Sequence, residues 1–113
     1  MELEIKHTSA VIYARLPDGS KAYIKYEISG DKMKILSTYT PPQHRGKGIA
    51  GKLMEYALRM AREKGLLVEP ICSYAIHYFA KHPEYRDLLV PELRDKDLEQ
   101  LFIERLREER GGG

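Results

Sequence analysis

Thr40-Pro41-Pro42-Gln43-His44-Arg45-Gly46-Lys47-Gly48-Ile49-Ala50-Gly51 is the stretch that decides how the rest of the chain is read. An extended pattern precedes it and a helical pattern follows. Gly46 and Gly48 let the backbone turn tightly and approach a ligand closely. The next residues open a helix, whose first N–H groups have no partner inside it. Arg45 and Lys47 stand at that end, where the helix dipole favours an anion and disfavours a cation. Basic side chains there do little for the helix, but they suit a phosphate or pyrophosphate held on the free amides. Glycine-rich turns also precede helices without any ligand. The misplaced positive charge and the two prolines weigh toward anion binding.

Working upstream, Met33 to Thr40 reads as a strand. Before it, Ala22, Ile24, Tyr26 and Ile28 alternate with Lys21, Tyr23, Lys25 and Glu27, which predicts a half-buried strand. Ala10, Ile12, Ala14 and Leu16 predict another. Pro17-Asp18-Gly19-Ser20 and Ser29-Gly30-Asp31 carry turn chemistry, so the three strands form an antiparallel meander. Residues 2 to 7 stand as a short edge segment of undecided structure.

Downstream, Ile49, Leu53, Ala57, Met60 and Ala61 form one stripe of a helix over 48–64, with Gly65 placed to cap its C-terminus. Leu66 to Cys72 is then a strand parallel to the third, because a helix joins them. Pro70 cannot donate to a ladder, so this strand is not paired on both sides along its length. Pro41 and Pro42 end pairing on the facing lip. Ser73 is positioned to cap a helix over 74–82, which Pro83 ends. A last helix follows Pro91, with Leu98, Leu101, Phe102 and Leu106 as its apolar stripe, and 111–113 is expected to be disordered.

A chain of 113 residues with 42% hydrophobic and 32% charged residues is bounded to one globular domain, 1–110. A net charge of +2 implies no general nucleic-acid role. No apolar run approaches the ~18 residues of a membrane span. The lone Cys72 excludes an internal disulfide and points to a reducing, cytoplasmic setting. No metal-ligating set is read.

Arg45-x-x-Gly48-x-Ala50, with Gln43-x-x-Gly46-x-Gly48 as a second register, resembles the acyl-CoA pyrophosphate loop of the GNAT acetyltransferase superfamily, Gln/Arg-x-x-Gly-x-Gly/Ala. Cys72-Ser73-Tyr74 and His82-Pro83-Glu84-Tyr85 extend the likeness to the very short, single-domain GNAT proteins of the YjdJ-like kind, over residues 10 to 90. The resemblance implies an α+β fold. Its mixed sheet is an antiparallel meander followed by a β-α-β unit whose parallel strands splay apart, with helices packed on it and the helix over 91–110 as an addition. It also implies acetyl-CoA-dependent N-acetyltransfer to an unidentified amine, on a small molecule or a protein. Arg45, Gly46, Lys47, Gly48, Ile49 and Ala50 would hold the pyrophosphate, and Thr38, Tyr39 and Thr40 would pair with the pantetheine arm. The expected partners are acetyl-CoA and the acceptor, with no membrane and no specific nucleic acid. A monomer is favoured over a homodimer through the last helix.

Two other readings compete. The chain could be a CoA or acyl-CoA binder with little turnover. Gly46-x-Gly48-x-x-Gly51, with Glu69 beyond it, also formally satisfies a dinucleotide fingerprint. Pro41 to Arg45 separate that motif from its strand, however, and the antiparallel start is wrong for a doubly wound sheet.

The catalytic candidates are Cys72, Tyr78 and His82. Cys72 stands at a strand end before a helix N-terminus, where the dipole would lower its pKa while burial would raise it. It can be core filler, cofactor contact or acetyl-accepting nucleophile. The family's glutamate on the strand before the loop has no counterpart, since no Asp or Glu occurs between Asp31 and Glu55. Glu69, His77 and His82 are substitutes by proximity. The family's thiolate-protonating tyrosine aligns with Phe79, and Tyr78 is one position off, about 100° around an ideal helix. Backbone N–H groups near Tyr39 and Thr40 could serve as oxyanion donors.

Overall fold

The computed structural model describes residues 3–111; residues 1, 2, 112 and 113, including part of the tail expected to be disordered, lie outside the described residues. Five strands form one sheet in the order β1 (Ile5–His7), β2 (Val11–Arg15), β3 (Lys21–Ser29), β4 (Lys32–Tyr39) and β5 (Leu67–Pro70). The first four pair antiparallel, and β4 and β5 pair parallel. The undecided segment near the N-terminus is thus an edge strand, its Ile5 to His7 lying opposite Ala14 to Ile12.

Alternation sorts the sheet into two faces. Ile12, Ala14, Ala22, Ile24, Met33, Ile35 and Val68 are buried on one, under the helix α1 (Ile49–Glu63). The stripe Ile49, Leu53, Ala57, Met60 and Ala61 is buried as expected, and Met54 and Leu58 join it. Ala10 and Ile28, assigned to that face by alternation, are exposed instead. Ala10 lies before β2, and Ile28 sits near the far end of β3, opposite Met33.

The antiparallel ladder between β3 and β4 skips one residue. Lys25 faces Ser37 and Tyr26 faces Ile35, so Leu36 is an unopposed bulge on β4. On the other side, pairing to β5 stops at Ile35 opposite Pro70. The Ile35 carbonyl then accepts from both Ile71 N–H (2.9 Å) and Cys72 N–H (3.2 Å), and the two strands part. The prolines lie where the sequence put them, at the end of a ladder that cannot continue.

Beyond β5 comes α2 (Ser73–Lys81), a 3₁₀ segment (Pro83–Leu88), a short α3 (Pro91–Arg94) and α4 (Leu98–Glu109). Helix α2 begins one residue earlier than expected, and Ser73 does not cap it. The N-cap is Cys72, and Ser73 donates both its N–H (2.8 Å) and its hydroxyl (2.5 Å) to the Glu109 carboxylate at the far end of α4. The Arg105 guanidinium donates to the Ile71 carbonyl. Phe102 packs on His77 with ring centroids 4.8 Å apart. The last helix therefore lies against α2 of its own chain, and Asp97 caps it by accepting from Gln100 N–H at 3.1 Å.

Candidate functional site

The loop between β4 and α1 is a 3₁₀ turn, Pro42–His44, followed by Arg45 to Gly48. Gly46 (φ 81°) and Gly48 (φ 78°) are both left-handed, which a side chain would strain. A Cβ at either would meet no atom within 4 Å, so the backbone here borders open space. Gly48 is the N-cap of α1; no side chain caps that helix, and no acid stands in its first turn. Among the described residues, its first turn thus has no side-chain cap on its positive end.

These amides open into a cleft of about 380 Å³ lined by Thr38, Tyr39 and Thr40 from β4, by Arg45, Gly46, Gly48, Ile49, Ala50 and Gly51 from the loop and helix, and by His44 and Tyr74. The cleft therefore gathers every residue expected to meet a cofactor except Lys47. That side chain turns toward Leu3, Ile49 and Lys52 on the other side of the loop, its Nζ 3.5 Å from His44 Nδ1. Among the described residues no carboxylate lines the cleft.

The loop is pinned from a distance. Asp18, in the β2–β3 turn, accepts from Ser20 N–H (3.0 Å) and hydroxyl (2.6 Å), from Gln43 Nε2 (3.1 Å) and from His44 Nε2 (3.0 Å). The Ser20 hydroxyl, with Gln43, the Ser20 amide and His44 behind it, holds the Asp18 carboxyl well below the usual range. His44 is buried. Arg45 Nε bonds the Thr40 carbonyl at 3.1 Å, which closes the loop on itself and leaves the rest of the guanidinium exposed. Sequence reasoning gave Asp18 only a turn role and passed over His44. Their partnership spans 26 residues, and the one available signal was a buried-capable imidazole in an otherwise exposed loop.

Cys72 is 7% exposed, at the point where β4 and β5 part. Its thiol neighbours the Thr38 side chain, which lines the cleft, so it adjoins the cleft without lining it. Burial pushes its pKa up, against the downward pull of the Ala75 amide and Thr38. Of the two opposed influences expected on this thiol, desolvation is the larger.

Tyr78 and His82 are together but elsewhere. Their rings stack at 4.0 Å, and both line a neighbouring cleft of about 350 Å³ with Glu55, His77 and Lys81; this cleft joins the first through Gly48, Gly51 and Tyr74. His82 Nδ1 donates to the Tyr78 carbonyl at 2.9 Å. Burial raises the Tyr78 phenol far above its ordinary range.

The tyrosine at the junction of the two clefts is Tyr74. It is half-buried, and its pKa is raised, first by burial and then by Cys72. Tyr74 precedes Tyr78 by one helical turn, on the same face. That spacing was the available sign that a phenol one turn earlier reaches the first cleft.

The cleft can hold an anion at the α1 N-terminus and an extended, amide-bearing chain along the unpaired edge of β4. A family model described as GCN5-related N-acetyl-transferase matches residues 12–88. Among solved structures, the chain is similar to a GCN5-like protein from Staphylococcus aureus determined by NMR. The TM-score is 0.60 at 26% identity, and the match covers 77% of this chain and 87% of that one.

Proposed function

The chain belongs to the GCN5-related N-acetyltransferase family, and from that premise we propose that it transfers an acetyl group from acetyl-CoA to an amine. The observation that carries the donor is the uncapped α1 N-terminus between Gly48 and Gly51, flanked by two left-handed glycines and by Arg45. An anionic pyrophosphate fits that cradle: the amides donate, the dipole attracts, and the absence of Cβ atoms lets phosphate oxygens come close. The pantetheine arm fits the gap beyond Ile35, where β4 has lost its parallel partner. Thr38, Tyr39 and Thr40 line that edge.

With the donor so placed, its thioester reaches Thr38 and Cys72. An amine nitrogen attacks the carbonyl carbon, the C–S bond breaks, and the departing sulfur takes a proton. Tyr74, at the junction of the two clefts, is the phenol placed to give that proton and to regain one from the attacking nitrogen. Cys72 acts as a contact beside the acetyl group. A thiol held neutral by burial is a poor nucleophile, which disfavours an acetyl-cysteine intermediate. Among the described residues no carboxylate lines the cleft to take the amine's proton, so the amine enters neutral and positioning does most of the work.

Calorimetric titration tests the donor. Acetyl-CoA is expected to bind more tightly than NADH or ATP, and Gly48→Val to lose at least about tenfold in affinity. Arg45→Ala, which leaves the backbone unstrained, is expected to lose several-fold and to separate lost binding from lost folding. Parent-like affinity in both variants would remove the site.

A further inference from the structure

The sheet face opposite α1 carries one continuous cross-strand row. Lys6 on β1 faces Tyr13 on β2, Tyr13 faces Tyr23 on β3, and Tyr23 faces Tyr39 on β4. Tyr23 and Tyr39 lie with ring centroids 5.3 Å apart. Tyr39 is 40% exposed and also lines the cleft. The row thus runs from the edge of the sheet to the mouth of the site.

Cations border it. In the adjoining rows Arg15 faces Lys21, and Lys25 stands between Val11 and Ser37. All three are exposed. Lys21 Nζ lies over the Tyr13 ring at 5.6 Å and Lys25 Nζ over the Tyr23 ring at 5.9 Å. Of the acids nearby, Glu4 is engaged with Lys6 at 3.3 Å, and Glu27, which follows Lys25 on the same face of β3, is opposite Lys34. The chain's net charge of +2 conceals this local excess.

We propose that this face docks the acceptor, and that the acceptor is the free N-terminus of a polypeptide whose first residues are acidic. The inference rests on the acetyltransferase reading above. Three observations choose the occupant. The cations call for a partner of opposite charge, and the row leads to the cleft, so a bound chain delivers its end to the thioester. The lysines lying over the Tyr13 and Tyr23 rings occupy the faces on which nucleic-acid bases would stack, which leaves carboxylates as the fitting anions. The cleft, lined by no carboxylate among the described residues, favours an amine that loses its proton unaided. An α-amine, with a pKa of about 7.7–8.0, is substantially neutral near pH 7.5, whereas a lysine at about 10.4 is not. In the transfer, the α-nitrogen lone pair forms the N–C bond to the acetyl carbonyl and the C–S bond breaks. One amine proton ends on the CoA sulfur, giving N-acetyl peptide and free CoA.

The test uses the full chain and a short lysine-free peptide with a free α-amine, Asp and Glu at its second to fifth positions and a fluorophore at its C-terminus. Anisotropy without acetyl-CoA is expected to show binding that weakens with salt. In Lys21→Glu combined with Lys25→Glu, peptide affinity falls about tenfold, while acetyl-CoA affinity stays at the parent value. Lys21→Gln with Lys25→Gln falls between. With acetyl-CoA present, mass spectrometry places the acetyl on the α-amine. Equal binding and acetylation of a peptide with Asn and Gln at those positions would overturn the proposal. So would acetylation confined to the lysine of an N-blocked acidic peptide, or displacement of the peptide by single-stranded oligothymidylate at lower concentration than by unlabelled peptide. A parent that binds the peptide but not acetyl-CoA would fail the acetyl-CoA reading alone, because the anisotropy needs no donor.

Discussion

Asp18 is the residue on which the loop's position hangs. It takes four hydrogen bonds, two of them from Gln43 and His44 in the loop itself. Its pKa is depressed in the folded chain. A depressed carboxyl contributes stability that is present above its unfolded pKa of about 3.9 and lost as pH falls through the folded value. Asp18→Asn should therefore melt below the parent at pH 7, with the difference shrinking once the pH drops below about 4. Thermal melts of both proteins across pH check this; a gap independent of pH would mean that ionisation of Asp18 is not what holds the turn. The same variant should weaken acetyl-CoA binding by a few-fold, because the cradle would be less preorganised. Cys72 works in the opposite sense. Its folded pKa is raised, so its contribution is present below the free-thiol value of about 8.5 and lost as pH rises through the folded value. Alkylation at pH 8 should be slower than for a free thiol and slower still with CoA bound. Cys72→Ala should retain most turnover; abolished turnover with intact acetyl-CoA binding would restore the nucleophile reading.

At the scale of elements, α4 performs a task that the N-cap of α2 leaves undone. Cys72 provides no side-chain cap, and the first amide of α2 is satisfied by Glu109 from 36 residues away. Hydrogen bonds to charged groups contribute about 1.5–3 kcal/mol each. Glu109 is exposed, so screening brings the loss in Glu109→Ala to about 1 kcal/mol, read as a lowered midpoint in urea. Removal of the chain after Val90 should cost more, since Leu98 is buried and Leu101 and Phe102 pack on the core. The fall in melting temperature should not depend on protein concentration. A concentration-dependent oligomer that the truncation dissolves would instead mean that α4 pairs between chains.

These cases mark what the residues disclosed before any coordinates. Turn chemistry at Pro17 to Ser20 and Ser29 to Asp31 fixed the meander, and the 3.6-residue stripe fixed α1, because both depend on near neighbours. Pro70 located the end of the parallel ladder for the same reason: a missing N–H is a property of one residue. The bulge at Leu36 carried no such mark, since no glycine or proline announces it. The bonds from Asp18 to His44 and from Glu109 to Ser73 were illegible, because a polar side chain's distant partner leaves no trace in local periodicity. For the site, the loop and β4 edge were readable as a unit. Lys47, on the same motif, was assigned to the cleft and turns away from it.

For the molecule as a whole, the early end of the β4–β5 ladder has a consequence for its dynamics. The sheet opens between β4 and β5, and backbone amides of β4 beyond Ile35 have no β5 partner on that side. A donor lying in the gap with its own amides would act as a sixth, non-covalent strand, so the sheet would be finished only in the complex. Hydrogen–deuterium exchange should then be fast in the free chain at those amides of Leu36 to Thr40 that point away from β3, and slow when acetyl-CoA is added. Saturation at a hundredfold over Kd should raise global stability by about 2.7 kcal/mol. On the acetyl-CoA reading, the molecule would borrow part of its secondary structure from its substrate and return it, one strand at a time, with each turnover.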